Sequence, residues 1–308
     1  MESDAEYNSC TGDKLYGKVW KDEERENYKG LIQLVHGMQE HIGRYSEFAN
    51  FLANNGYIVV GHDHLGHGKT AKTERDLGHF ADEDGWDKLV EDIRIIYKET
   101  KRKYPDIPYI IMGHSMGSLL VRTYIANYPD KLDGVILSGT SGQRFGFISG
   151  KILIKAIMFF KGKHYRSPFV KKLITGHFAR KIDVRRTEDD WISRDNEVVD
   201  KYQKDEKCGG TFTLQAYYDL VRGNQKLAKQ KNIKNTPRDL PILLFSGDKD
   251  PVGKEGKGVL RVYKMLKKIG KENVRIRLFK EGRHEMLNEI NKTEVYDFVL
   301  NWLDDVIE

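Results

Sequence analysis

Tyr109-Ile110-Ile111-Met112-Gly113-His114-Ser115-Met116-Gly117-Ser118-Leu119-Leu120 is the stretch on which the fold turns. Its first four residues form a short apolar run, as a buried strand does. The run enters Gly-x-Ser-x-Gly at 113–117, and a helical pattern continues from Ser118 to Tyr128. Strand, tight turn and helix together are the context of an exposed nucleophile. The turn forces a strained backbone on its serine. Gly113 and Gly117 keep side-chain bulk away from the two crossing backbones. Ser115 is then lifted above the sheet at a helix N-terminus, whose free N–H groups favour developing negative charge.

Further apolar runs lie on both sides of this turn. Leu31–Val35, Tyr57–Val60, Val135–Leu137, Ile242–Phe245 and Val274–Leu278 read as buried parallel strands, and Lys14–Trp20 as an antiparallel edge strand. Helical patterns at Trp86–Lys103, Gly258–Ile269 and Thr293–Ile307 alternate with them. The alternation predicts an α/β fold, a mostly parallel central sheet covered by helices on both faces. It stops near Thr140 and resumes near Leu240. The stretch between is polar, basic and helical in pattern, as at Tyr217–Gln230. The expected organisation is a core of residues 1–142 and 237–308 with an inserted helical cap at 143–236. The cap carries 21 Lys and Arg against 10 Asp and Glu, whereas the rest of the 308-residue chain is net acidic although the whole is +6. The charge is therefore local to the insert.

A 39% hydrophobic content at this length is enough for a sizeable core. No window approaches a membrane span, and the first twenty residues lack the apolar run of a secretory signal. Cys10 and Cys208 are the only cysteines, which excludes a disulfide framework and a thiolate zinc cage. The expected compartment is reducing cytoplasm.

A serine hydroxyl needs a base. Three histidines follow Ser115: His164, His177 and His284. The first two fall in the insert. His284 lies just past the strand Val274–Leu278, at the sheet edge where ligands meet open α/β folds. The orienting acid should follow Ile242–Phe245, where Asp248 and Asp250 compete. Asp250 sits farther out and precedes Pro251, which biases it toward extended backbone. Asp248 reads as a turn-capping residue. Acyl transfer also needs two N–H donors for the oxyanion. Met116 follows the nucleophile, and Met38 stands on the loop after Leu31–Val35. Their main-chain N–H groups are the candidates.

With these segments in hand, the chain resembles the α/β-hydrolase fold serine hydrolases, specifically the monoacylglycerol lipase and lysophospholipase group of the serine aminopeptidase S33 type. The resembling segments are His36-Gly37-Met38-Gln39-Glu40-His41 with Arg44-Tyr45, His62-Asp63-His64-Leu65-Gly66-His67-Gly68, the turn at 113–117, Gly247-Asp248-Lys249-Asp250-Pro251-Val252, and Glu281-Gly282-Arg283-His284. They spread over nearly the whole chain. The resemblance implies Asp250 as the triad acid with Ser115 and His284, Met38 and Met116 as oxyanion donors, and a mobile helical cap over an acyl pocket. It also implies that Glu40 and Arg44 stand near the alcohol-leaving end, where they shape a glycerol-sized polar pocket or form a structural ion pair. Ser118 departs from the pattern, which has a third glycine there.

Two other constellations carry less. His62, His64, His67 and His79 cluster with Asp63, but the spacing matches no hydrolytic zinc motif. No metal and no organic cofactor is expected. Phe147–Tyr165 mixes apolar and basic residues at helical spacing. It reads first as a cap helix packing on the active site and second as an interfacial helix on anionic lipid. That second reading would add peripheral contact at the inner membrane surface. No nucleic-acid motif accompanies the basic residues.

The expected function is hydrolysis of carboxylic esters of fatty acyl chains, with monoacylglycerol and lysophospholipid as leading lipid substrates. The nearest rival is an aminopeptidase or amidase, whose ammonium-binding carboxylates Glu188-Asp189-Asp190 could supply. An acyltransferase would use the same triad. A catalytically silent small-molecule receptor is the alternative from another class.

Overall fold

A computed structural model describes residues 1–142, 147–228 and 235–307. Eight strands form one sheet: β1 (Glu2–Asn8), β2 (Lys14–Trp20), β3 (Gly30–Val35), β4 (Tyr57–His62), β5 (Tyr109–His114), β6 (Gly134–Ser138), β7 (Ile242–Gly247) and β8 (Val274–Phe279). Their order is β1-β2-β4-β3-β5-β6-β7-β8. All pairings from β4 to β8 are parallel, and those of β2 are antiparallel. The expected sheet is therefore present.

The strand β1 was not anticipated. Its sequence, ESDAEYN, is polar and mostly exposed, and it adds to the sheet edge by antiparallel pairing with β2. Only Tyr7 of this strand is buried in the core, so its sequence carries no alternating apolar signal to read.

Helices cover both faces because side chains alternate along each strand. Leu31 and Val35 of β3 join one core with α2 (Gly85–Lys103), α3 (Met116–Asn127), α7 (Leu214–Leu227) and α8 (Lys257–Lys268). Ile32 and Leu34 join the other with α1 (Ser46–Asn54) and α9 (Lys292–Ile307). The central Gln33 is fully buried but satisfied, its amide donating to the Ile93 carbonyl at 3.1 Å and accepting from the Tyr109 hydroxyl at 2.8 Å.

Between β6 and β7 the chain forms α4 (Phe147–Lys161), α5 (Pro168–Ile174), α6 (Asn196–Lys204) and α7. Of the expected cap boundaries, 143 lies outside the described residues, as do 229–234. The helix expected at Tyr217–Gln230 starts at Leu214, where Thr213 caps it, and its expected end also lies outside. This helix does not stand apart from the core. Leu214, Tyr217 and Leu220 share one apolar cluster with Trp86 and Leu89 of α2. A Cβ on Gly223 would meet the Trp86 ring at 2.2 Å, so the two helices are in close contact.

The β5–α3 turn is closely packed. Ser115 has φ 51 and ψ −119, the strained backbone expected of it. A Cβ on Gly117 would lie 2.0 Å from the Val35 carbonyl oxygen and 2.5 Å from that of His36. One on Gly113 would lie 2.5 Å from the Gly117 carbonyl oxygen. The obstacles are backbone atoms of β3, the residue after it and the start of α3, which cannot step aside cheaply. Gly117→Ala is therefore expected to destabilise the fold by about 3 kcal/mol or more. Urea titration of the two proteins would measure it, and an unchanged midpoint would contradict this packing. Ser118, the departure noted above, is accommodated: its buried hydroxyl donates to the Ser115 carbonyl at 2.6 Å.

Candidate active site

Four of the candidate residues follow the C-terminal ends of parallel strands. Ser115 follows β5, Met38 follows β3, Asp250 follows β7 and His284 follows β8. Ser115, Met38, Met116 and His284 line one cavity of about 470 Å³.

His284 is 2% exposed and Asp250 fully buried, with His284 Nδ1 3.0 Å from Asp250 Oδ2. The pair is close but not squarely aligned as a hydrogen bond. Catalytic contacts in unliganded sites are often looser than in the working complex. Asp250 is held from two further sides: Ser246 Oγ donates to Oδ2 at 2.7 Å and the Val252 N–H donates to Oδ1 at 2.8 Å. Burial by itself would raise this carboxyl's pKa, but the facing imidazole and these donors hold it below its ordinary value. Burial would likewise lower His284, and the Asp250 carboxylate overrides that and holds it above its ordinary value. His284 Nε2 is buried with no hydrogen-bond partner among the described residues.

Asp248 occupies a different position. Its carboxylate accepts the Glu281 N–H at 2.8 Å and so ties the β7 and β8 loops together. The structure thus brings Asp250, not Asp248, against His284.

Met116 is the first residue of α3, so its N–H has no intrahelical acceptor. Among the described residues, neither the Met38 nor the Met116 N–H has a hydrogen-bond partner. Two free donors therefore flank Ser115. The Met38 loop is braced from behind, because His36 Nε2 accepts the His64 N–H at 3.0 Å. His64 Nδ1 in turn lies 3.1 Å from His62 Nε2. Burial depresses these rings, His62 to about 3 and His67 to about 4, so they are neutral structural groups near pH 7. His79 is not with them. It stacks beside His164, with ring centroids 4.3 Å apart, near Asp82.

Glu40 and Arg44 are part of a larger buried network. Arg44 makes a bidentate pair with Glu285, at 2.6 and 2.7 Å, and reaches Glu40 at 3.1 Å. The Tyr45 hydroxyl also donates to Glu40 at 2.9 Å. The guanidinium lies over the Tyr202 ring at 4.9 Å. Glu40 and Glu285 line the cavity, whereas Arg44 does not. Burial raises the Glu40 carboxyl, while Glu285, despite its burial, is held low by Arg44.

The rest of the cavity is mainly apolar. Leu119 and Leu220 come from the core layer, and Leu153, Ile154, Val170 and Ile174 from α4 and α5. Trp191 closes over the histidine. Its ring lies 5.3 Å from that of His284, and its carbonyl accepts the His284 N–H at 3.3 Å. Neither Trp191 nor Glu285 was singled out from the sequence. Glu285 is adjacent to His284, but only its ion pair marks it. Trp191 lies 93 positions from His284 in the chain. Glu188, Asp189 and Asp190, the acids of the aminopeptidase reading, are absent from the cavity lining. Asp190 accepts from the Thr187 hydroxyl at 2.7 Å and Asp189 from Gln203 at 3.0 Å.

Comparison with known proteins agrees with this fold. The sequence matches the family described as serine aminopeptidase, S33, over residues 26–291. A monoacylglycerol lipase of Mycolicibacterium smegmatis is 27% identical, the match covering 98% of this chain and 96% of that one. The crystal structure of a thermostable carboxyl esterase from Bacillus coagulans in complex with glycerol superposes with a TM-score of 0.92 at 28% identity, over 100% and 99% of the two chains. A lipase in an open form gives 0.87 at 26% identity over the full length of both chains. Fold and site together define an α/β-hydrolase with a helical insert after its sixth strand. Within that class the chain belongs to the serine aminopeptidase S33 family, and its relatives place it with the monoacylglycerol lipase-like members.

Proposed function

We propose that this hydrolase cleaves carboxylic esters of fatty acyl chains through an acyl-enzyme. Ser115 Oγ attacks the ester carbonyl carbon and its proton passes to His284 Nε2. Asp250 holds the Nδ1 proton and stabilises the imidazolium. The Met38 and Met116 N–H groups receive the oxyanion. The tetrahedral intermediate collapses, and the leaving alcohol takes the proton from His284. Water, deprotonated by the same imidazole, then releases the fatty acid and restores Ser115. The observation that carries the proposal is a strained serine and a buried His–Asp pair beside a mainly apolar cavity of about 470 Å³.

The helical insert at 143–236 acts as the cap of that cavity, with α4 and α5 over the acyl chain. The network of Glu40, Arg44 and Glu285 frames a small polar end, suited to a glycerol-sized alcohol. Monoacylglycerol is the leading substrate, and the glycerol-bound esterase and the lipase relatives support it. Lysophospholipid is second. The aminopeptidase reading loses support because its expected carboxylates are engaged within the insert. An assay of p-nitrophenyl esters from acetyl to palmitoyl, 1-monoacylglycerol, a lysophospholipid and an aminoacyl p-nitroanilide tests this. Preference for the anilide would overturn the ester reading.

Helix α4 carries apolar residues on both faces. Ile154 is buried, whereas Ile152, Phe159 and Phe160 are exposed, the last two by 84% and 81%. Packing on the site alone does not use the outer face. With Lys151, Lys155 and Lys161 interleaved, it fits the surface of lipid aggregates that present the substrate. Phe159→Ser/Phe160→Ser is expected to lower hydrolysis of vesicle-borne monoacylglycerol several-fold. Turnover of a short, soluble ester should be unchanged. Equal loss on both substrates would show that these residues serve folding instead.

A further inference from the structure

Arg122 has no place in the chemistry above. It lies in the middle of α3, a helix buried from Met116 to Ala126, and is itself only 4% exposed. A buried guanidinium ordinarily faces a carboxylate. Here Nη1 donates to the Ser141 carbonyl at 3.0 Å and lies 3.5 Å from the Thr140 hydroxyl, both neutral acceptors. Among the described residues no acid pairs with it. The internal stretches 143–146 and 229–234 contain no Asp or Glu, so neither can supply one. A guanidinium has five N–H donors, and most of these are unused. Burial without a compensating charge pulls its pKa down to about 10.

Arg122 lines a second cavity of about 220 Å³. Arg261, Lys264 and Lys268 of α8 line it too, and among the described residues no acidic one does. Their spacing of three and four sets them along one face of that helix. Ser141 also contributes, and its buried hydroxyl has no partner among the described residues. Ser141 and Asn224 line the acyl cavity as well, so the two cavities share a wall.

We propose that this second cavity binds a small phosphate-type oxyanion next to the acyl site. Two guanidiniums, two ammonium groups and a free hydroxyl form a donor set that matches phosphate oxygens, with Arg261 held toward the cavity by its Nη1 bond to the Gly142 carbonyl at 3.1 Å. Arg261, Lys264 and Lys268 are exposed at the mouth and Arg122 is buried behind them; an apolar guest would leave Arg122 without a counter-charge, and a cation would be repelled. The volume accommodates one phosphate group with a few further atoms. The site does not depend on the ester-hydrolase reading, because its residues take no part in that reaction. The oxyanion could be inorganic phosphate or the phosphate of an acylated lipid reaching past the shared wall.

Calorimetric titration of the full chain with inorganic phosphate at low ionic strength tests the site. Saturable one-to-one binding is expected. Arg261→Gln/Lys264→Gln should weaken it at least roughly tenfold. Lys98→Gln/Arg102→Gln, which removes the same charge from exposed positions on α2, should not. Arg122→Met should also weaken binding if it folds by circular dichroism; if it does not, the α8 double variant decides. Absence of saturable binding, or equal weakening in both double variants, would overturn the proposal. A second titration adds a 1-acylglycerol phosphate to the Ser115→Ala protein already loaded with phosphate. Displacement of the phosphate upholds the site and assigns it to a lipid headgroup. Retention upholds it and assigns it to the free oxyanion.

Discussion

Ser115→Ala is expected to lower kcat for ester hydrolysis by on the order of a million-fold, with the protein still folded. Alanine removes the attacking oxygen and adds no bulk. The strained backbone at φ 51 is set by the crossing strands and is retained. The Met38 and Met116 donors stay in place, so substrate should still bind and a small residual rate should persist. Steady-state kinetics on a medium-chain p-nitrophenyl ester would measure the loss. A burst of alcohol release in the wild type, absent in the variant, would identify the acyl-enzyme. A variant that retained a tenth of the activity would remove Ser115 from the mechanism.

Asp250→Asn should cost about ten-thousandfold in kcat, for a reason visible in its contacts. The Val252 N–H donates to Oδ1, so the amide oxygen of an asparagine must occupy that position. The amide nitrogen then takes the Oδ2 position and faces His284 Nδ1. A donor there makes Nδ1 an acceptor and places the imidazole proton on Nε2. That tautomer cannot take a proton from Ser115. The variant should therefore be folded but nearly inert.

The pH profile follows from the same pair. In the proposed mechanism His284 acts only when neutral, and Asp250 holds it above its ordinary pKa. Activity should rise with pH through that elevated value, and the residual activity of Asp250→Asn should rise at lower pH. The stability contribution has two limits. Because His284 is raised, its share is complete below the ordinary imidazole value and is lost as pH rises through the elevated one. Because Asp250 is lowered, its share is present above the ordinary carboxyl value and is lost as pH falls through the depressed one. The pair therefore stabilises the fold most between these limits. Urea midpoints of wild type and variant across pH should diverge most in that interval. An unshifted acidic limb in the variant's rate profile would detach Asp250 from His284.

Much of this was legible without coordinates. The Gly-x-Ser-x-Gly turn, the runs that became β2 to β8 and the histidine after β8 are local patterns. Apolar alternation, turn chemistry and chain order follow from neighbours within a few residues, so the sequence determined strands β2 to β8 and pointed to Ser115 and His284 as the candidate nucleophile and base. Tertiary structure decided what depends on distant groups. The choice between Asp248 and Asp250 rested on which carboxylate is buried against an imidazole 34 residues farther on. Arg44 turned toward Glu285 instead of the cavity because a bidentate buried pair outweighs an open polar face. The two-faced burial of α4, the closure of Trp191 over His284 and the unpaired charge of Arg122 likewise depend on which elements pack together. Such pairings link residues far apart in the chain, and only their packing sets the distances and the dielectric on which the chemistry depends.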